Sequence, residues 1–430
     1  MFSNLFVALR YLCGKNKGGG RYLLGAVGGI GLSLVPIMVT LIVADGMIRG
    51  ITDRFIELGT GHLQVWYYPG GEQEKTGGGK NGSATEDTLR TIIGESEGVT
   101  GVWRQHEGLG VIVGNNGKTG VTIRAIEPSF WEDEGSRRYI TTLEGDARIE
   151  ADNEALLGEE LAKITGAQTG KTVRLLTVRS DKDGRAIPRT TLFTVKGIIS
   201  SGYHELDMMW CIISYEAGKR VLGANENDPF IVKIDDPYKK TAARAASLNW
   251  RLPDNYWVYR WNDILYSQYA SYEQTRQLLL FIMLLIVVVA AVNVSSATSM
   301  LVIERQRDIA VFKAFGVRVR DVRSVFLWCG FLAGLFGSAA GISAGLFIGC
   351  FINQILRGLE AALNFFSAFS SGWTFHILDP SYYLQTIPIV IDWNTVALIG
   401  LFTVVCACVS SAFPARKAGR AKPVELLRKF

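Results

Sequence analysis

Four apolar stretches constrain this chain more than any other feature. They run about 22–45, 277–301, 323–352 and 394–413. Each meets or approaches the ~20 residues a helix needs to cross ~30 Å of hydrocarbon. The second is the plainest, because Leu278 to Val292 carries no charge. A chain of this length folded in water does not bury four such segments. The reading is an α-helical membrane protein: four transmembrane helices, with a large α+β extracytoplasmic domain between helices 1 and 2.

Cations set the orientation. Arg10, Lys15, Lys17 and Arg21 precede the first span with no acid among them. Arg305, Arg307, Lys313, Arg318, Arg320 and Arg323 face only Glu304, Asp308 and Asp321 between spans two and three. The tail carries Arg416, Lys417, Arg420, Lys422, Arg428 and Lys429 against Glu425. Excess Lys and Arg in short segments marks the cytoplasmic side. Residues 1–21, the 302–322 loop and the 414–430 tail are therefore placed inside, and 46–276 and 353–393 outside. The net charge of +5 comes largely from this asymmetry. No basic stretch is interleaved with stacking aromatics, so nucleic acid is not an expected partner.

The first span is too long for a signal peptide, and no small-x-small cleavage site follows it. Gly25, Gly28, Gly29 and Gly31 enrich its first half, and Gly330, Gly334, Gly337, Gly341, Gly345 and Gly349 recur along the third span. Such spacing lets another helix approach closely. Packing within one subunit and a dimer interface satisfy it equally. Cys13 would be cytoplasmic, Cys329, Cys350, Cys406 and Cys408 lie in or near spans, and Cys211 has no partner in the domain. That pattern offers neither a disulfide framework nor a metal site.

The insert reads as folded. Strand-like stretches are His62–Tyr68, Gly110–Val113, Val121–Ala125, Val173–Val178, Leu192–Ile199 and Phe230–Ile234. Helical ones are Glu86–Gly94, Gly158–Thr165, Ser214–Leu222 and Lys239–Asn249. Residues 69–84, rich in Gly, Lys and Glu, read as a surface loop. Gly117-Lys118-Thr119 and Gly170-Lys171-Thr172 lack the earlier glycine of a phosphate-binding loop, with Ile112 and Thr165 in its place, so both read as turns. His62, His106, His204 and His376 show neither metal spacing nor a triad. His204-Glu205 with Asp207 reads as a polar loop. No catalytic or metal site is expected.

Glu304-Arg305-Gln306-Arg307-Asp308-Ile309-Ala310-Val311-Phe312-Lys313-Ala314-Phe315-Gly316 predicts a short amphipathic helix, with Ile309, Phe312 and Phe315 at helical spacing and Gly316 ending it. A helix lying at the lipid interface would satisfy the same pattern. The segment resembles the coupling helix of the MacB/FtsX/LolC-LolE superfamily of ABC transporter permeases. Pro414-Ala415-Arg416-Lys417-Ala418 and Pro423-Val424-Glu425-Leu426-Leu427-Arg428 resemble that superfamily's closing signature. Further elements resemble the lipoprotein-releasing LolC/LolE branch. They are Ala8-Leu9-Arg10-Tyr11-Leu12, Asp45-Gly46-Met47, Leu157-Gly158-Glu159-Glu160-Leu161-Ala162 with Gly166 and Gly170, and Gly184 with Pro188-Arg189 and Phe193-Thr194-Val195. Gly197 to Asp207, Asn293, Tyr383, Pro388 and Trp393 complete the series. Asp45, Asp308 and Ala310 depart from the family pattern, which usually has Asn, Glu and Gly at those positions.

The resemblance implies a permease subunit with no cofactor and no enzymatic role of its own. ATP and Mg would be bound by a separate cytoplasmic ATPase dimer gripping Glu304, Arg305, Asp308, Ile309, Phe312, Lys313, Phe315 and Gly316. A second permease chain would complete a cavity for lipoprotein acyl chains, with Met47, Ile48, Ile51, Phe281 and Leu285 as candidate lining. A hairpin of Asp181, Lys182, Asp183, Gly184, Arg185 and Pro188 would meet a periplasmic lipoprotein carrier. The membrane would be the bacterial inner membrane, with both termini cytoplasmic. A MacB-like or FtsX-like mechanotransmitter, acting in efflux or on a cell-wall hydrolase, is the alternative; a membrane receptor without an ATPase is a third reading.

Overall fold

The structure is a computed structural model that describes residues 6, 8, 19–68, 85–180, 186–223, 227–370, 384 and 386–420. The 69–84 loop, Asp181 to Arg185, Cys13, His376, Tyr383 and the 421–430 end of the tail lie outside the described residues, as do Leu9 to Leu12.

In chain order the elements are α1 (Gly19–Arg54), β1 (Leu63–Tyr67), α2 (Glu86–Gly94), β2 (Val99–Val113), β3 (Lys118–Ile126), α3 (Glu134–Tyr139), β4 (Thr141–Gly145) and β5 (Glu154–Gly158). Then come α4 (Glu159–Thr165), β6 (Thr172–Ser180), β7 (Ala186–Ser200), α5 (His204–Met209), β8 (Trp210–Ser214), α6 (Tyr215–Leu222), β9 (Phe230–Ile234), α7 (Thr241–Arg251), β10 (Tyr256–Arg260) and α8 (Trp261–Ile264). The chain ends with α9 (Tyr266–Glu304), α10 (Gln306–Ala314), α11 (Val319–Cys350), α12 (Ile352–Ser370) and α13 (Trp393–Arg420). Two compact units result. One holds residues through Arg49, from Ser271 and from Ile387; the other holds Gly50 to Ala270 and a short return segment.

Within the helical unit, α1, α9, α11 and α13 are long and apolar enough to cross a membrane. All four start earlier than the apolar stretches read from sequence, because polar first turns belong to the helix; α11 ends at Cys350, just short of its stretch, and the other three also run on past theirs. Ile30, Leu34 and Met38 of α1 pack with Met283, Val287 and Val294 of α9 and Val396 and Ile399 of α13. The glycines of α11 pack within one chain, whereas Gly25, Gly28 and Gly29 of α1 meet nothing within 4 Å. A Cβ at Gly334 would lie 2.8 Å from the Ala407 Cβ on α13, and one at Gly341 would lie 2.6 Å from the Gly31 carbonyl oxygen on α1. One helix thus presents small residues to two neighbours, which brings backbones close enough for dispersion contacts to accumulate.

In the domain, ten strands among the described residues form one sheet. Part of it closes on itself. β2 pairs with β3, β3 with β8, β8 with β5, β5 with β7, β7 with β6, and β6 returns to β2. Alternate residues fill the resulting barrel: Ile112, Ile123, Leu157, Leu175, Phe193 and Ile213 are all buried in one cluster. The period of two that marks a strand is what divides inner from outer residues here. Of the remaining strands, β4 pairs with the end of β7, and β9, β1 and β10 run on from the first half of β2. Helices α2 and α7 cover them through Leu89, Ile93, Ala245 and Leu248.

Gly117 and Gly170 both stand in turns that lead into strands β3 and β6, as the sequence suggested. Asp207 is structural as well. Its carboxylate accepts from the Ser201 N–H and the Ser200 hydroxyl, each at 2.7 Å, and so ties the turn before α5. Burial pushes its carboxyl above the usual range, against those hydrogen bonds. Burial alone pushes the Cys211 thiol, inside the barrel, up to about 12.

Candidate functional site

Two places in the helical unit and two in the domain gather the candidate residues. The first is the 304–316 segment. Glu304 ends α9, Arg305 breaks the helix, α10 follows, and Gly316 closes the segment at φ 85°, where a side chain would be strained. Arg305 and Asp308 form an ion pair at 3.2 Å. Ile309 is buried with Leu301 of α9, Val322 and Phe326 of α11, and Ala415 and Ala418 of α13. Lys313 Nζ donates to the Gly419 carbonyl at 2.7 Å. Phe312 and Phe315 point the other way and are 43% and 85% exposed. The sequence grouped Ile309 with the two phenylalanines as one apolar edge. The structure splits them: Ile309 fastens α10 to three long helices, and the phenylalanines are left on the surface. A force applied to this exposed face therefore reaches α9, α11 and α13 through packed contacts.

The second place is the opposite, domain-side end of the same helices. Arg276 of α9 donates from Nε to Asp45 Oδ1 at 2.8 Å and from Nη2 to Asp392 Oδ2 at 2.9 Å. Asp392 stands just before α13 and accepts from the Thr395 hydroxyl at 2.6 Å. One guanidinium thus joins α1, α9 and the start of α13. Next to Asp45, Gly46 lies so near Pro388 that a Cβ would come within 2.1 Å of its carbonyl oxygen. The sequence singled out Asp45 and Gly46 but not Arg276 or Asp392. The available signal was a lone cation bordering the apolar run that starts at 277.

The candidate lining residues do not all share one unit. Met47 and Ile48 are half-buried on α1. Phe281 and Leu285 sit on the outward face of α9, opposite the buried Met283 and Val287. Ile51 packs instead with Phe55 against the domain core around Leu206 and Trp210.

The last turn of α1, from Gly50, belongs to the domain unit and is tied into it. Past Arg54 the helix widens into a π-helical turn, Phe55–Thr60, a form that recurs at functional positions. Arg54 Nε donates to the Ser201 carbonyl at 2.7 Å, and the Tyr238 hydroxyl donates to Asp53. Buried Lys233 donates to the Glu57 carbonyl at 2.9 Å and also to the Glu57 carboxylate. His62 accepts from the Ile234 N–H on Nδ1, which leaves Nε2 to donate to Glu57 at 2.9 Å. A buried cation with its partners satisfied costs much to separate and fixes one geometry. Beside this turn is a cavity of about 450 Å³ lined by Phe55, Trp66, His106, Arg124 and Trp210. Arg124 lies over the Trp210 ring at 4.5 Å and donates to Gln105 at 2.7 Å.

The fourth place is the β6–β7 arm. Its register runs from Thr172 opposite Thr194 to Ser180 opposite Ala186, with Pro188 opposite Val178. Its outer face, with the neighbouring part of β2, exposes Leu109, Leu176, Val178 and Leu192. Among the described residues, no group of three His, Cys, Asp or Glu side chains is placed to hold a metal.

The MacB-like periplasmic core domain family matches residues 23–248, and the FtsX-like permease C-terminal family matches residues 280–423. The chain is 25% identical to the lipoprotein-releasing system transmembrane protein LolC of Neisseria meningitidis serogroup B, across 446 aligned residues covering 100% of both chains. It is 25% identical to LolC of Xylella fastidiosa strain 9a5c, again over 100% of each chain. It is 21% identical to LolE of Haemophilus influenzae over 99% of each. With more than half of its length matched by the core-domain family, the chain belongs to the permeases that join a MacB-like periplasmic core domain to an FtsX-like C-terminal region.

Proposed function

We propose that this chain is the membrane subunit of an ABC transporter that lifts lipoproteins out of the outer leaflet of the bacterial inner membrane and delivers them to a periplasmic carrier. The observation that carries this reading is the similarity to LolC and LolE over essentially the full length of all the chains compared. ATP and Mg would be bound by a separate ATPase dimer, and this chain would do no chemistry of its own. A second permease chain would cover the outward face of α9, where Phe281 and Leu285 stand exposed. Both termini would be cytoplasmic, which puts α10 beside the ATPase.

The physical task explains the architecture. Each acyl CH₂ taken out of hydrocarbon costs ~0.8 kcal/mol, so extraction must be coupled to a strong driving force. Force entering at Phe312 and Phe315 would pass through Ile309 into the helices, and would leave through the end of α1, where Arg54 is tied to Ser201 and Lys233 holds the following turn at Glu57. The exposed face of the β6–β7 arm would meet the carrier, with Asp181 to Arg185 completing the contact.

The test is native mass spectrometry of the complex purified from its own cells with the ATPase. The reading requires a bound triacylated protein in the nucleotide-free complex. An ATPase-bound complex free of acylated cargo would refute lipoprotein release and favour a mechanotransmitter. Deleting 181–186 separates the carrier step: carrier binding should vanish while ATPase activity persists. Unchanged carrier affinity would move that role to another surface.

A further inference from the structure

Helix α12 turns several polar residues toward the protein. Ile352 at its start is buried, and Asn353, Leu356, Glu360 and Asn364 are half-buried along one face. Asn353 accepts the Ile387 N–H at 3.1 Å and donates to the Ile387 carbonyl at 2.9 Å. Glu360 and Asn364 have partners as well. The flanking face carries Ile355, Leu359 and Leu363, which are 44%, 49% and 39% exposed. A helix bathed in water turns its apolar stripe inward and its polar residues out. Here Asn353, Glu360 and Asn364 have partners in the protein while Ile355, Leu359 and Leu363 are exposed, an arrangement that suits hydrocarbon surroundings.

The apolar stripe does not begin in α12. Phe347 near the end of α11 and Phe351 at the junction precede Ile355, Leu359 and Leu363 at intervals of four residues. The Phe347 and Phe351 rings are 4.9 Å apart, so the surface is unbroken across the junction. Phe347 is 67% exposed on a helix long and apolar enough to span a bilayer. The same surroundings that cover Phe347 therefore continue along α12. Arg357 and Glu360 cancel in charge, and Arg357 is exposed at the flank, where its stem can lie along apolar surface with its head in water.

We propose that α12 lies in the interface of the leaflet on the domain side, with the stripe from Phe347 to Leu363 seated among phospholipid acyl chains. The segment after the third span is then a membrane-surface element of the permease. The inference needs the spans, and it is independent of the cargo.

The experiment places p-benzoylphenylalanine singly at Ile355, Leu359, Leu363 and, as a control on the half-buried polar face, Asn364. The full-length chain is reconstituted in nanodiscs of phosphatidylethanolamine and phosphatidylglycerol, irradiated and weighed by mass spectrometry. Phospholipid adducts are expected from 355, 359 and 363 and should be lost at 364. Crosslinks from the three positions to a second copy of the chain in place of lipid would overturn the proposal. Absence of any lipid adduct at all three, in variants that elute as folded protein, would overturn it equally. Three separate positions keep the test decisive if one substitution disturbs folding.

Discussion

Arg276 stands between two carboxylates from parts of the chain far apart in sequence, and its removal would leave both facing each other. Asp45 is 9% exposed and Asp392 is 35% exposed at the side chain, so the pair is partly shielded from water. Arg276→Met should cost about 2 kcal/mol or more, since stranded charged groups lose their compensation. Asp45→Asn should cost less, because the amide oxygen still accepts from the guanidinium. Thermal melting of the detergent-solubilised protein checks the order; equal melting temperatures for wild type and Arg276→Met would remove the clamp from the account. The sequence made Asp45 visible as a departure from a family pattern. It could not show the partner, because a contact between residues 45 and 276 leaves no local trace.

Among the elements, α11 is the most legible and α10 the most instructive. The glycine spacing of α11 was plain in sequence, but the choice between neighbours depends on which face meets which helix. A paired substitution tests the outcome. Gly341→Ala puts a Cβ against the Gly31 carbonyl and Leu34 and should destabilise by about 1–3 kcal/mol through overpacking. Gly28→Ala meets nothing within 4 Å and should stabilise by roughly 0.5–1 kcal/mol, as an alanine does in a helix interior. Equal melting temperatures for the two variants would contradict the packing. In α10 the pattern of three apolar residues was correct in position. Its division into an anchor and a free surface was not readable, because it depends on α11 and α13 closing over Ile309. Phe312→Asp should leave the melting temperature nearly unchanged and weaken ATPase binding by ~2 kcal/mol, on the order of thirtyfold. A pull-down titration with the purified ATPase checks this, and unchanged binding would free α10 from the coupling role. In the domain, Phe230–Ile234 and Glu86–Gly94 were legible to the residue. The barrel was not, because its closure rests on parallel pairs such as β3 with β8 and β5 with β7, set by contacts distant in sequence.

For the whole molecule, the proposed path of force starts at the exposed Phe312 and Phe315, passes into the helices packed around Ile309, and ends where Arg54 of α1 is tied to Ser201. The most direct measurement is ATP-dependent transfer of an acylated lipoprotein from proteoliposomes to a soluble carrier. The proteoliposomes would hold this chain with its partner permease and ATPase. The wild-type complex should transfer the lipoprotein. Transfer should be lost, with the complex still assembled and hydrolysing ATP, when Met47→Arg and Phe281→Arg put cations in the acyl path. Full transfer by that double variant would contradict the acyl path, and ATP hydrolysis without transfer by the wild-type complex would contradict lipoprotein release.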